Sequence, residues 1–321
     1  MKHRTLGKSP LEVSLVGLGC NNFGSRTDLE GTRRGVAKAL DLGITLFDTA
    51  DIYGNKGGSE TMLGQSRGAR RKDIVLATKF GMVMDEAGTM RGAARAYIMS
   101  SAEASLRRLG TDWIDLYQLH RPDPKTPIEE TLRALEDLIQ QGKVRYIGCS
   151  NLQAWQVVEA QWTARHISAH AFISCQDEYS LLVREPEREL IPAARAYGLG
   201  LLPYFPLAGG FLTGKYKRGQ PMPQGARLNT AKHLSDRYIT DANWEIVERL
   251  EKFCAPRGHN LLELAIAWLA AQSPVSSVIA GATKPEQVEQ NVRAAEWILS
   301  AEELAEVDRS AAPSPRVEEV V

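Results

Sequence analysis

The chain lacks a charge excess of either sign: 39 Lys and Arg face 39 Asp and Glu among 321 residues. A binder that neutralises a nucleic-acid backbone needs surplus cations, so no nucleic-acid partner is expected. It is also poor in cysteine. Cys20, Cys149, Cys175 and Cys254 stand far apart with no CxxC, which argues for reduced thiols and against a disulfide framework. Cys20, Cys149 and Cys175 all lie near the ends of strand-like runs, but no His or Cys has ligand spacing to them, so no metal site is expected. No long hydrophobic run is unbroken. The uncharged stretch Ala196–Gly214 contains Pro203 and Pro206, and the stretch Leu264–Thr283 is cut at Gln272-Ser273-Pro274. Each reads as two buried pieces, so no membrane partner is expected. The charged start, Met1 to Arg4, precedes no apolar segment of a secretory signal, and a cytoplasmic location is the expectation.

What is present is ordinary globular composition, 43% hydrophobic and 24% charged, arranged as strand-like runs alternating with amphipathic helical ones. Candidate strands are 15–18, 45–47, 74–77, 114–119, 144–148, 172–175, 199–203 and 277–280. Leu132, Leu135 and Ile139 repeat at helical spacing, as do Val157, Ala160 and Ala164. Helix starts are read at Thr126-Pro127-Ile128-Glu129, Thr283-Lys284-Pro285-Glu286 and Ser300-Ala301-Glu302-Glu303. Such alternation predicts a parallel sheet covered by helices. About eight strands at roughly 27–40-residue spacing predict a closed (β/α)8 barrel. The gap between the seventh and eighth is longer by about one unit, an insertion near 205–258. Arg4–Ser14 reads as a β-hairpin ahead of the barrel. Residues 1–321 are expected to form one domain. An open doubly wound sheet would place GxGxxG after an early strand, and Val16-Gly17-Leu18-Gly19 leads instead into a polar loop.

Barrel chemistry collects at the C-terminal strand ends, and six successive runs here end in polar groups. These are Asp48 with Tyr53 nearby, Lys79, His120, Ser150-Asn151, Gln176 and Tyr204. A tyrosine hydroxyl is a weak acid, and a neighbouring ammonium favours its phenolate, which predicts a lowered value for Tyr53. An Asp would hold that Lys, and a His would hydrogen-bond a carbonyl oxygen. This set can protonate an oxygen while something else reduces the carbon. No side chain donates hydride, so a nicotinamide cofactor is implied.

Four strings make the sequence resemble the aldo-keto reductase superfamily over essentially its whole length: GITLFDTADIYG from Gly43, RRLGTDWIDL from Arg107, GKVRYIGCSN from Gly142 and GATKPEQ from Gly281. The resemblance implies NAD(P)H-dependent reduction of a small-molecule carbonyl, with Asp48, Tyr53, Lys79 and His120 as the catalytic set. It also implies cofactor contacts. Asn21, Asn22 and Asp48 would face the cofactor. Ser150, Asn151 and Gln176 would bind the carboxamide, and Tyr204 would stack on the ring. Phe205, Pro206, Leu207, Ala208, Gly209, Lys215 and Arg227 would cover the pyrophosphate. Gly281, Thr283, Lys284, Gln287, Gln290 and Asn291 would surround the adenosine. Thr283 as a helix cap with Lys284 beside it makes an anion site, which favours NADPH over NADH.

Phe23, with Tyr53 and His120, is expected to wall the substrate pocket. Trp113 and Trp268 read as core. Potassium-channel β subunits also resemble this sequence, which keeps a nicotinamide-binding regulatory subunit as the second reading. They carry Asn at the position of His120, so His120 favours an enzyme. A Schiff-base aldolase using Lys79 is a third, weakened because Asp48 would keep that amine protonated. The loops that would choose a substrate, 23–29, 80–91, 121–126 and the tail 311–321, carry no decisive chemistry in sequence.

Overall fold

The computed structural model describes residues 1–312. Strands β1 (His3–Thr5) and β2 (Glu12–Ser14) form the expected antiparallel hairpin. Eight parallel strands follow: β3 (Val16–Gly19), β4 (Leu46–Asp48), β5 (Val75–Phe80), β6 (Ile114–Leu119), β7 (Val144–Ser150), β8 (Ser174–Gln176), β9 (Gly200–Leu201) and β10 (Val278–Gly281). They lie in the order β10-β3-β4-β5-β6-β7-β8-β9. The Leu201 N–H donates to Pro274 O and the Ser276 N–H to Leu201 O, each at 3.0 Å. These bonds, with a parallel bridge between Leu201 and Val275, join β9 to the residues leading into β10 and close the (β/α)8 barrel.

The strands are apolar on both sides because one face fills the barrel and the other meets helices. Leu46, Ala77, Leu116, Leu202 and Ile279 pack inside together with Leu6 and Val13 of the hairpin. The hairpin thus plugs the end where the strands begin. Arg4 fixes it by donating to Val275 O at 2.8 Å and Ala270 O at 2.7 Å. Gly7 is required there: at φ +61° its missing Cβ would sit 2.5 Å from Gly198 O.

Helix Ile128–Gln140 buries Leu132 and Leu135, and helix Ala154–His166 buries Val157, Ala160 and Ala164, each on its inward face. Ser300 caps helix Ala301–Ala311 in a full capping box. The other two expected starts differ. Thr126 donates its hydroxyl to Asp123 at 2.8 Å, leaving Pro127 as an uncapped N-cap. Lys284, not Thr283, is the N-cap of helix Pro285–Ala294. Trp268 is core, but Trp113 is not. It lies between the guanidiniums of Arg71 and Arg145, 4.2 and 5.0 Å from its ring centre. The insertion between β9 and β10 forms a glycine-rich turn at 208–213 and helices Arg227–Thr230, Lys232–Tyr238 and Asp241–Cys254. Among the described residues no helix is long and apolar enough to cross a membrane. All four cysteines are buried free thiols.

Candidate active site

A cleft of about 960 Å³ opens at the C-terminal ends of the strands. At its floor the Lys79 ammonium donates to Asp48 Oδ2 at 2.7 Å and to Thr49 O at 2.8 Å. Asp48 Oδ1 accepts from the amides of Gln176 at 2.9 Å and Gln118 at 3.3 Å. Parallel pairing of β4 with β5 sets Asp48 opposite Ala77, which brings Lys79 within reach. Burial opposes the Lys79 charge, but Asp48 and then Tyr53 outweigh it, and the ammonium sits above its ordinary value. An amine so held is not a free nucleophile.

The Tyr53 ring lies 5.1 Å from Lys79 Nζ and 5.6 Å, edge-on, from the His120 ring. Tyr53 begins an unusual turn. Gly54, Asn55, Lys56 and Gly57 all have positive φ, so the chain reverses left-handed before the helix proper. Of the six non-glycine residues at positive φ among the described residues, five (Asn55, Lys56, Asn151, Phe205 and Ala208) follow strands on this same rim. Strain of this kind gathers where geometry serves a site. The expected lowering of the Tyr53 hydroxyl is overturned: burial raises it, and the Lys79 charge only partly offsets that. Tyr53 therefore stays protonated. Burial, then the charges of Lys79 and Arg121, push His120 down to about 2, so its ring is neutral. Its Nδ1 is buried without a hydrogen-bond partner among the described residues.

Asn151 donates to His120 O at 3.0 Å and to Ser150 Oγ at 2.9 Å, and accepts from the Tyr204 hydroxyl at 2.7 Å. The Arg227 guanidinium lies 5.0 Å from the Phe205 ring. Burial, then the like charge of Arg26, lowers both Lys215 and Arg227. Neighbouring cations that have no carboxylate partner among the described residues make a seat for an anion. Gly281 is paired with Gly19, and a Cβ on it would lie 3.3 Å from Asn22 Nδ2 and 3.4 Å from Asn21 Oδ1. The Thr283 N–H and hydroxyl donate to Gln287 Oε1 at 2.8 and 3.1 Å.

The cleft brings together Asn21, Asn22, Asp48, Tyr53, His120, Ser150, Asn151, Gln176, Tyr204, Phe205, Pro206, Leu207, Gly209, Lys215, Arg227, Gly281, Thr283, Gln287, Gln290 and Asn291. Lys79 is fully buried beneath them. Besides Lys79, three expected residues do not line it. Phe23 is buried in the core with Cys20, Phe47 and Leu63 rather than walling a pocket. Ala208 is buried at the start of the glycine-rich turn. Lys284 is exposed beside the lining. Sequence reasoning missed Arg26, Met82, Arg121, Glu178 and Arg237, which also line it. Arg121 carried a signal, since it directly follows a strand-end residue. Arg26 carried none. Among the described residues, no group of three or more His, Cys, Asp and Glu could hold a metal ion. The expected tail contribution, 311–321, lies almost wholly outside the described residues.

The model of the aldo/keto reductase family matches residues 15–312. A probable voltage-gated potassium channel subunit beta of Oryza sativa subsp. japonica is 37% identical over 304 residues, spanning 93% of this chain and 92% of that protein. The uncharacterized oxidoreductase YrpG of Bacillus subtilis is 37% identical over 95% of this chain and 94% of its own length. The L-glyceraldehyde 3-phosphate reductase of Escherichia coli K12 is 34% identical, over 96% and 92% respectively.

Proposed function

Because the chain belongs to the aldo/keto reductase family and is an oxidoreductase, we propose that it reduces an aldehyde or ketone to an alcohol with NADPH, in the cytoplasm. One observation carries the reading: a protonated Tyr53 beside a buried ammonium that Asp48 holds at 2.7 Å, with a neutral His120 edge-on to it.

The residues fit a dinucleotide. Arg26, Lys215 and Arg227, which have no acidic partner among the described residues, suit a pyrophosphate, and a Cβ on Gly210 would crowd Lys215 Nζ at 3.3 Å. Ser150, Asn151 and Gln176 present amide and hydroxyl groups for a carboxamide, and Tyr204 presents a ring for stacking. Asn21, Asn22, Gly281, Thr283, Gln287, Gln290 and Asn291 surround the adenosine end, with Lys284 at its edge for a ribose 2′-phosphate. Bound nicotinamide supplies the hydride.

The protein's own residues do the rest. The neutral His120 ring retains one N–H, which donates to the carbonyl oxygen and orients it. Tyr53 gives that oxygen its proton. The Lys79 ammonium stabilises the phenolate as it forms, and Asp48 keeps the ammonium in place. The test is NADPH oxidation with an unhindered aldehyde by wild type and Tyr53→Phe. The variant should bind NADPH near normally and lose about 10²–10⁴ in turnover. Unchanged turnover would remove Tyr53 from this role. The relatives named as channel β subunits favour a second reading, a nicotinamide-binding regulatory subunit with weak reductase activity. Tight NADPH binding with negligible turnover across an aldehyde panel would select it.

A further inference from the structure

Five cationic side chains line the cleft, Arg26, Arg121, Lys215, Arg227 and Arg237, against two carboxylates, Asp48 and Glu178. Both carboxylates are already engaged. Asp48 holds Lys79, and Glu178 takes Arg237 at 2.7 Å and the Tyr238 hydroxyl. The remaining cations divide into two places. The charge of Arg26 acts on both Lys215 and Arg227, which belong to the insertion that carries the glycine-rich turn, and a pyrophosphate accounts for these three.

Arg121 is elsewhere. It follows His120 at the end of β6, and its charge acts on His120 and Tyr204. Its side chain is exposed on the cleft wall and makes no hydrogen bond or ion pair among the described residues. The acid nearest to it in sequence, Asp123, is engaged elsewhere. Its carboxylate accepts from Ala93 N at 2.8 Å, Lys125 N at 3.0 Å and the Thr126 hydroxyl at 2.8 Å. A guanidinium offers a rigid fork of donors matched to carboxylate or phosphate oxygens. Standing unpaired in a concave site, it also concentrates anions there.

We propose that Arg121 binds an anionic group of the substrate, so that the preferred substrates are aldehydes or ketones bearing a carboxylate or phosphate a few carbons from the carbonyl. The inference rests on the reductase reading. The reaction balances as before. The carbonyl carbon gains a hydride with its two electrons from reduced nicotinamide, the oxygen takes the Tyr53 proton, and the nicotinamide ends oxidised.

Two substrate pairs test it, glyceraldehyde 3-phosphate against glyceraldehyde and succinic semialdehyde against butanal. The wild type should prefer the anion in at least one pair by roughly tenfold in kcat/KM. The pair with the larger ratio identifies the anion. Arg121→Met should abolish the ratio, and Arg121→Lys should restore part of it. Calorimetric titration of glycerol 3-phosphate and 4-hydroxybutyrate onto the enzyme with NADP⁺ reads the same contact without turnover, and R121M should weaken the preferred anion by roughly tenfold. Reduction of neutral and anionic aldehydes at equal kcat/KM, with R121M lowering both alike, overturns the proposal and leaves the reductase reading standing. No aldehyde turnover with Arg121-dependent anion binding does the reverse: the anion site stands and the reductase reading falls.

Discussion

Lys79 Nζ and Asp48 Oδ2 lie 2.7 Å apart, with side-chain exposures of 0% and 4%, on adjacent parallel strands. Stripping either group of its partner leaves a charge in a site that solvates it poorly. Lys79→Met should therefore destabilise the fold by about 3–5 kcal/mol. The double variant Lys79→Met, Asp48→Asn should be more stable than the two single losses predict, because neither charge is then stranded. Denaturant unfolding of the four proteins measures the coupling, and simple additivity would mean that the pair is not coupled as its geometry requires.

His120 is held neutral by burial and by the charges of Lys79 and Arg121, at about 2. A basic group lowered so far stays uncharged throughout the ordinary working range. Its ring resonances should show no titration step between about pH 5 and pH 9, whereas an unperturbed histidine would turn over near 6.5. A midpoint close to 6.5 for His120 would contradict the burial seen here.

Asp51 lies behind Tyr53, facing Glu60, Arg108, Tyr97 and Ser101. Burial, then the Glu60 charge, raises it to about 7, while Arg108 pulls the other way. Its Oδ1 has no partner among the described residues, and its Oδ2 is 3.4 Å from both the Tyr97 and Ser101 hydroxyls. A carboxyl raised on folding binds more protons in the native state than in the unfolded chain. Stability from this group accordingly falls as pH rises from about 4 to about 7 and is level beyond. Asp51→Asn should match wild type near pH 4 and exceed it at pH 8 by a few kcal/mol. Melting curves across that range check this, and an equally stable pair at pH 8 would refute it.

The cofactor contacts separate by position. Lys215→Ala and Arg227→Ala should weaken NADPH and NADH alike, roughly tenfold each, because the pyrophosphate is common to both. Lys284→Ala should weaken NADPH more than NADH, since only NADPH carries the 2′-phosphate. Fluorescence titration of both cofactors decides it, and equal loss from Lys284→Ala would place that phosphate elsewhere.

Much of the architecture was legible in sequence because parallel barrel strands are apolar on both faces. They stand out as short runs that stop at a polar residue where the chain leaves the sheet. β6 was read residue for residue as Ile114–Leu119, and the polar ends after β4 to β9 marked the rim where the cleft opens. The strings from Gly43, Arg107, Gly142 and Gly281 carried the family, which the match over residues 15–312 shows.

Local pattern does not say what surrounds a side chain once distant segments meet. Phe23 follows a strand end like the site residues, yet packs with Phe47 and Leu63. Thr283 has the spacing of a cap, yet its hydroxyl bonds Gln287. The sequence places an ammonium near Tyr53, but the desolvation that outweighs it depends on the packing of several strands and loops. Arg26 meets Lys215 and Arg227 only because the loop after β3 and the insertion before β10 fold over one mouth. The sequence by itself determined the order of strands and the residue types at their ends, because both follow from local hydrophobic pattern. Tertiary structure decided which of those groups are buried, charged or left unpaired, because solvation and charge depend on every neighbour at once.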